Sequence, residues 1–456
     1  MLRRELWEFR VAEPPLLTLS CETPACVIMA RRLNILLSAY FCSPYRGGES
    51  AVGWQTAIGL AKHHDVTVIC GDHAKDSPTA REITRYQEEN GLPAGLKIAH
   101  VQARGLARGF YLLHQLPGLW FLYYEGYRRW QKQALEEAGR LHAGTPFDLA
   151  HQLTIITLRE PGYLWRLGLP WFWGPINGAA NMPWRFLFSF GVNGCYRHLS
   201  RNVLNLLYTR FARRSRIAAS RAAKIWAVTL EDKDLVERIW NGHAEIMIET
   251  GATPKPGVSP KRLAGTEPLR LAWCGNIEAR KALHIALSAI AQLPDGRDVE
   301  LHVIGMGPEL TRCQRQTAVL GLTSNIKWHG RVSHAEAQAL MGLCHLLVHT
   351  ALKEGTPHVL LEAMSQGLPV ICHDSCGMGI AVNESCGIRI PMYDPVTSIE
   401  GFNNAILRFS VEPDLLEQLS RGALQRAREL SWESHIDKIC KAYRTVLDAP
   451  DRNPQS

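Results

Sequence analysis

Two glutamates, Glu354 and Glu362, are separated by seven residues in the run Lys353-Glu354-Gly355-Thr356-Pro357-His358-Val359-Leu360-Leu361-Glu362-Ala363-Met364. Thr356 suits an N-cap and Pro357 the first helical position. Gly367 and Pro369 read as a stop. The spacing predicts Glu354 in a loop just before a short helix and Glu362 on that helix, about a turn and a half in. Both carboxylates, and the free N–H groups at the helix start, then face one cleft. Carboxylates accept hydrogen bonds from sugar hydroxyls, and such N–H groups suit a phosphate. An ordinary amphipathic helix with two incidental glutamates fits the same run, so the rest of the chain decides.

Arg280 and Lys281 end the run Gly275-Asn276-Ile277-Glu278-Ala279-Arg280-Lys281, just after an apolar stretch at 269–274. Two adjacent cations at a strand end suit a pyrophosphate leaving group: Arg binds it bidentately and Lys acts as a point charge. The plainer alternative is a helix start with solvated bases. Gly305-Met306-Gly307-Pro308 is half of a dinucleotide fingerprint. Leu310 stands where the third glycine belongs, and no acid lies at the offset that holds a ribose, which argues against NAD. Gly47-Gly48-Glu49-Ser50 would let backbone N–H groups approach a phosphate closely, or would simply form a turn needing positive φ. The chain has no convincing Asp-x-Asp, no His-Glu-x-x-His and no Gly-x-Ser-x-Gly, so we expect no metal, no cofactor and no hydrolase chemistry.

These residues need elements to position them. Apolar runs at 33–39, 65–70, 96–101, 149–152, 171–173 and 224–228 read as buried parallel strands, with a helix near 52–62 and helical sequence from 104 to 143 broken at Pro117. Residues 251–268, rich in Pro, Gly and Ser, read as a linker. Alternation then restarts, with strands at 269–274, 299–304, 326–329, 346–350 and 369–373 between helices near 282–292, 308–320 and 334–343. A final amphipathic helix covers 432–447. Two α/β halves, 31–250 and 269–430, imply two Rossmann-like domains with parallel sheets facing across a cleft.

The Glu354 run, followed by Ser365-Gln366-Gly367-Leu368-Pro369-Val370-Ile371, resembles the Glu-x7-Glu signature of retaining glycosyltransferases of family 4, which have the GT-B fold. The stretch 275–281 resembles that family's Gly-Arg-x-x-x-x-Lys-Gly motif, with Lys281 at the lysine position. Asn276 replaces the arginine, and Arg280 stands where it can compensate. Gly305–Pro308 resembles the family's Gly-x-Gly-Pro turn, and Gly47–Gly48 its first-domain glycine loop. Phe147-Asp148-Leu149-Ala150-His151 resembles its Asp-x-x-His segment. The resemblance spans about 33–447. It implies transfer of a hexose from a nucleotide diphosphate sugar to a hydroxyl of a glycan or lipid-linked acceptor. In that reading Lys281 and Arg280 neutralise the departing diphosphate, helped by the backbone of Gly355, Thr356 and Pro357. Glu354 holds donor-sugar hydroxyls, Glu362 the ribose, and His151 the sugar or the acceptor. Arg159 and 173–178 line the acceptor side. The last helix, 431–448, crosses back to the first domain. A nucleotide-sugar epimerase, a phosphorylase on the same fold and a non-catalytic nucleotide-sugar-binding module remain as alternatives.

The formal net charge is +8 and is unevenly placed: 161–230 holds ten bases and no acid. These bases are interleaved with Trp184, Phe186, Phe188, Phe190, Tyr196, Leu204, Leu206, Leu207, Tyr208 and Phe211, giving a basic aromatic stretch at 185–224. Bases beside aromatics fit an anionic membrane surface or a lipid diphosphate, and no nucleic-acid motif accompanies them. A helix pair with a solvated basic face is the bland reading. The 12 cysteines show no Cys-x-x-Cys, and Cys372, Cys376, Cys386 and His373 lack zinc spacing. We expect reduced thiols and a cytoplasmic protein, peripheral at an inner membrane face. No run approaches the roughly 20 apolar residues of a membrane span. Residues 1–30 are expected to be a disordered extension, with 1–28 a misplaced start before Met29 as an alternative.

Overall fold

Long apolar stretches that place Val, Ile and Leu on both faces form parallel strands only where helices cover both sides. Thirteen strands are present in the computed structural model, which describes residues 31–72, 78–119, 121–264, 267–294 and 298–449. The expected N-terminal extension lies outside the described residues. The first sheet contains β1 (Asn34–Ala39), β2 (Asp65–Cys70), β3 (Leu96–His100), β4 (Leu149–Thr154), β5 (Trp171–Ile176), β6 (Lys224–Ala227) and β7 (Ala244–Ile246). The second contains β8 (Leu269–Cys274), β9 (Val299–Ile304), β10 (Ile326–Gly330), β11 (Leu346–His349), β12 (Val370–His373) and β13 (Gly387–Ile390).

The spatial orders are β3-β2-β1-β4-β5-β6-β7 and β10-β9-β8-β11-β12-β13. All pairings are parallel. Each sheet is therefore doubly wound, with its strand order reversing between β1 and β4 or between β8 and β11. Loops leaving the carboxyl ends on either side of such a reversal diverge, and the crevice between them is where ligands bind in these folds. That geometry selects the loops after β1, β8 and β11, which carry Gly47–Gly48, Arg280–Lys281 and Glu354.

The expected helical stretch 104–143 is two helices, Gly105–Leu113 and Leu122–Gly144, on either side of Pro117. The final helix, Trp432–Leu447, buries Ile436, Ile439, Cys440 and Tyr443 in the core beneath the first sheet. It crosses helix Glu49–Ala61 at Gly59, where a Cβ would lie 2.5 Å from Ile436 Cγ1. Ser431, its N-cap, pairs with Ala252, so the two passages of the chain between sheets run side by side. Among the described residues no helix is long and apolar enough to cross a membrane.

Candidate active site

β8 and β11 are neighbours, with Leu271 opposite Leu346 and Ala272 opposite Leu347, so their loops emerge together. The β8 loop makes a tight turn at Ala279–Lys281. It is tied to the β11 loop by Leu352 N–H to Arg280 O at 2.9 Å and by Thr350 Oγ1 to Lys281 O at 2.8 Å. Both cations then converge on Glu354. Arg280 Nη1 meets Oε1 at 2.6 Å, Lys281 Nζ bonds the same oxygen, and His349 Nε2 lies 3.2 Å from Oε2. Arg280 is steadied by Glu278, 2.9 Å from its Nε.

The Glu354 side chain is 9% exposed and that of Lys281 12%. Burial alone would raise the Glu354 pKa. The hydrogen bond from His349 and the charge of Lys281 outweigh it and hold the carboxyl well below the usual carboxylate range. Burial likewise lowers the pKa of His349, against the pull of Glu354. Arg280 and Lys281 set two fixed cations against the carboxylates of Glu354 and Glu278 at the mouth of the crevice. Such a site suits a diphosphate, with Glu354 as a hydroxyl acceptor beside it.

Glycines let the β8 and β9 loops touch. Gly305 has φ 146°, and a Cβ there would sit 1.9 Å from Gly275 O. Ile277 N–H donates to Met306 O at 2.9 Å across the same contact. Gly275 is also at positive φ, and a Cβ there would make only ordinary contact with Lys281 Nζ, at 3.7 Å. Asn276 is exposed beside this turn.

The helix after Glu354 starts one residue later than expected, at His358, and ends at Met364. Thr356 does not cap it: Pro357 takes the cap position, the Thr356 hydroxyl finds no hydrogen-bond partner, and the Thr356 N–H donates to Glu249 Oε1 at 3.1 Å. Pro357 has no N–H to offer, so the amide cluster expected from Gly355, Thr356 and Pro357 is reduced. Glu362 projects toward helix His334–Gly342, where it bonds His334 Nε2 at 3.0 Å and Gln338 Nε2 at 2.7 Å. Sequence reasoning missed His334, Gln338 and Glu249. The first two lie on a helix it placed, but only the tertiary pairing shows which face meets Glu362.

In the first sheet, Gly47 and Gly48 are exposed, and Gly48 takes φ 62° to start helix Glu49–Ala61. His151 is not at the cleft. It is fully buried, with Nδ1 2.6 Å from Tyr443 Oη and Nε2 2.7 Å from Gly174 O. Burial pushes its pKa down to about 4. Both ring nitrogens are engaged in the core, so the expected contact with sugar or acceptor does not fit this geometry. Arg159 is held by Asn205 at 2.6 Å.

Helix Gly191–Phe211 is inverted. Its buried residues include Asn202, Asn205 and Thr209, and Asn202 bonds both the N–H and the C=O of Met182. Leu199, Val203, Leu204, Leu206, Leu207 and Phe211 are left outward, Phe211 at 74% exposure. Phe186, Phe190 and Tyr208 of the expected aromatic series face inward. Phe186 sits in the core of the second sheet, and Tyr208 bonds Arg159 O.

Residues 258–426 match the profile of the family described as glycosyl transferases group 1. A D-inositol 3-phosphate glycosyltransferase of Gordonia bronchialis is 26% identical over 196 residues, 40% of this chain and 42% of that protein. The chain thus aligns with less than half the length of this curated relative. Sucrose-phosphate synthase of Thermosynechococcus elongatus superposes with a TM-score of 0.62 at 17% identity, covering 92% of this chain and all of the other. Anabaena HepE, solved with UDP and glucose, gives 0.54 at 15% identity over 91% of this chain and all of the other. The two facing parallel sheets are those of the GT-B fold, and residues 258–426 are similar to the glycosyl transferases group 1 family.

Proposed function

We propose that the protein is a retaining glycosyltransferase that moves a hexose from a nucleotide diphosphate sugar to an acceptor hydroxyl. The observation that carries this reading is the convergence of Arg280, Lys281 and Glu354 where the strand order reverses. The donor's diphosphate lies against Arg280 and Lys281, and Glu354 accepts hydroxyls of the transferred sugar. The Gly275 and Gly305 turns form the floor, and Glu362 takes the ribose. Catalysis is then positioning plus neutralisation of the leaving diphosphate. The UDP and glucose bound by HepE support a donor of this class, and the glycosyltransferase activity named for the Gordonia relative supports transfer.

A panel of nucleotide sugars in a thermal-shift assay tests this. A donor at a hundred times its Kd stabilises the fold by about 2.7 kcal/mol. Transfer to an acceptor with the anomeric configuration kept, read by NMR, is the expected result. Binding without transfer, conversion of donor alone, or an inverted product contradicts it.

The acceptor is lipid-linked in this reading, and helix Gly191–Phe211 rests on an anionic membrane. Its outward leucines and Phe211 enter the interface, while the surrounding bases, in a stretch without acids, meet the headgroups. Vesicles rich in phosphatidylglycerol should bind the protein, less so at high salt. Replacing Leu204 and Leu207 together by serine should weaken binding roughly tenfold or more, since burying one leucine is worth about 1.5–3 kcal/mol. Equal binding of wild type and double variant excludes this face.

A further inference from the structure

Glu249 lies just beyond β7, on the segment that passes from the first sheet to the second. Gly355 and Thr356 of the Glu354 loop, and His358 at the start of the helix after it, rest on this neighbourhood. Gly355 approaches so closely that a Cβ there would lie 2.6 Å from Glu249 Oε1 and 2.5 Å from Asn177 Nδ2. Thr356 N–H donates to Glu249 at 3.1 Å, and Thr250 Oγ1 lies 3.2 Å from His358 Nδ1. From the other side, a Cβ on Gly377 would meet Gly355 O at 2.1 Å. The loop is clamped, and Glu249 accepts directly from its backbone N–H at Thr356.

We propose that Glu249 is a positioning residue for the transfer reaction: through the Thr356 N–H, its carboxyl sets where Glu354 stands in the donor cleft. The proposal rests on the functional reading above. It carries a pH consequence. Burial raises the Glu249 pKa to about 8 against the pull of the Thr356 N–H, and the carboxyls of Glu49, Asp232 and Glu354 add to the rise. Arg280, Lys281 and His349 stand beyond Glu354, bonded to it, and His358 follows Thr356. At neutral pH Glu249 is protonated and seats the loop without placing another anion beside Glu354. Above pH 8 it ionises and repels that carboxylate. Glu49 and Asp232 are shifted to about 7 and 6, again by burial first, so a substitution at Glu249 is needed to assign the limb.

The test is donor KM and kcat of the full chain between pH 6.5 and 9, for wild type, Glu249→Gln and Glu249→Ala, using a donor found by the thermal-shift panel. The wild-type KM should rise with a midpoint near pH 8. The Gln variant cannot ionise and should show no such rise. The Ala variant loses one hydrogen bond and should raise KM about five- to tenfold with a smaller change in kcat. An alkaline limb identical in the Gln variant and wild type overturns the proposal, as does an unchanged KM in the Ala variant. If the Ala variant does not fold, the Gln profile decides. A wild type that binds no nucleotide sugar overturns the functional reading and this proposal together, whereas binding with a Gln profile like wild type overturns this proposal alone.

Discussion

Lys281→Ala is expected to lower kcat/KM by about 2–4 kcal/mol of transition-state stabilisation, the range for removing one preorganised group that meets developing charge. Most of the loss should fall on kcat, because the diphosphate gains charge as the sugar leaves and the lysine interacts more strongly then than before. Lys281 is suited to this by its setting. Its side chain is only 12% exposed and its backbone is tied to Thr350. A buried ammonium held by such contacts has little reorganising to do when charge appears. Lys281→Arg should recover only part of the activity, since the planar guanidinium is larger and Gly275 offers limited space. Steady-state kinetics on the three proteins checks this. Turnover in the alanine variant equal to wild type would remove Lys281 from the mechanism.

Glu354→Ala should have the largest effect on stability among the site residues. Removing one member of a buried ion pair leaves the other uncompensated and typically costs about 3–5 kcal/mol. Here Lys281 would be left beside Arg280, with the nearly buried His349 losing its partner as well. The loss should depend on pH. Because the folded-state pKa of Glu354 is lowered from its ordinary 4.5, its stabilisation is present above that value and is lost as pH falls below it. Denaturant unfolding at pH 7 should separate wild type from the alanine variant widely, and at pH 3 the gap should narrow. An equal gap at both pH values contradicts the charge network as the source.

Strands buried on both faces were the easiest elements to read. β2, β8 and β9 lie where continuous runs such as Val299–Ile304 predict them, and helix Trp432–Leu447 follows its amphipathic period. β7 and β13 were not read. Ala244–Ile246 is three residues long, and Gly387–Ile390 carries an arginine engaged with Asp374. The site was legible as a set of residue types, but its assembly was not. Lys281 meets Glu354 only because β8 neighbours β11, a fact of strand order that no local pattern contains. The neighbours of Glu362 and the contact of Glu249 with Thr356 depend on tertiary placement in the same way.

His151 shows the opposite failure. A motif resemblance put it at the cleft, but its ring reaches Tyr443 on a helix almost three hundred residues later in the chain, so its ring atoms are spent on packing. Thr356 failed for a local reason. The helix starts only at His358, so Pro357 takes the cap position and the Thr356 hydroxyl finds no partner.

A crystal structure of the protein with a bound nucleotide diphosphate tests the central claim most directly. The account predicts diphosphate oxygens within hydrogen-bond distance of Lys281 Nζ and Arg280, above the Gly275 and Gly305 turns, with the ribose toward Glu362. A diphosphate bound elsewhere, with the Lys281–Glu354 pair left intact and untouched, would contradict it.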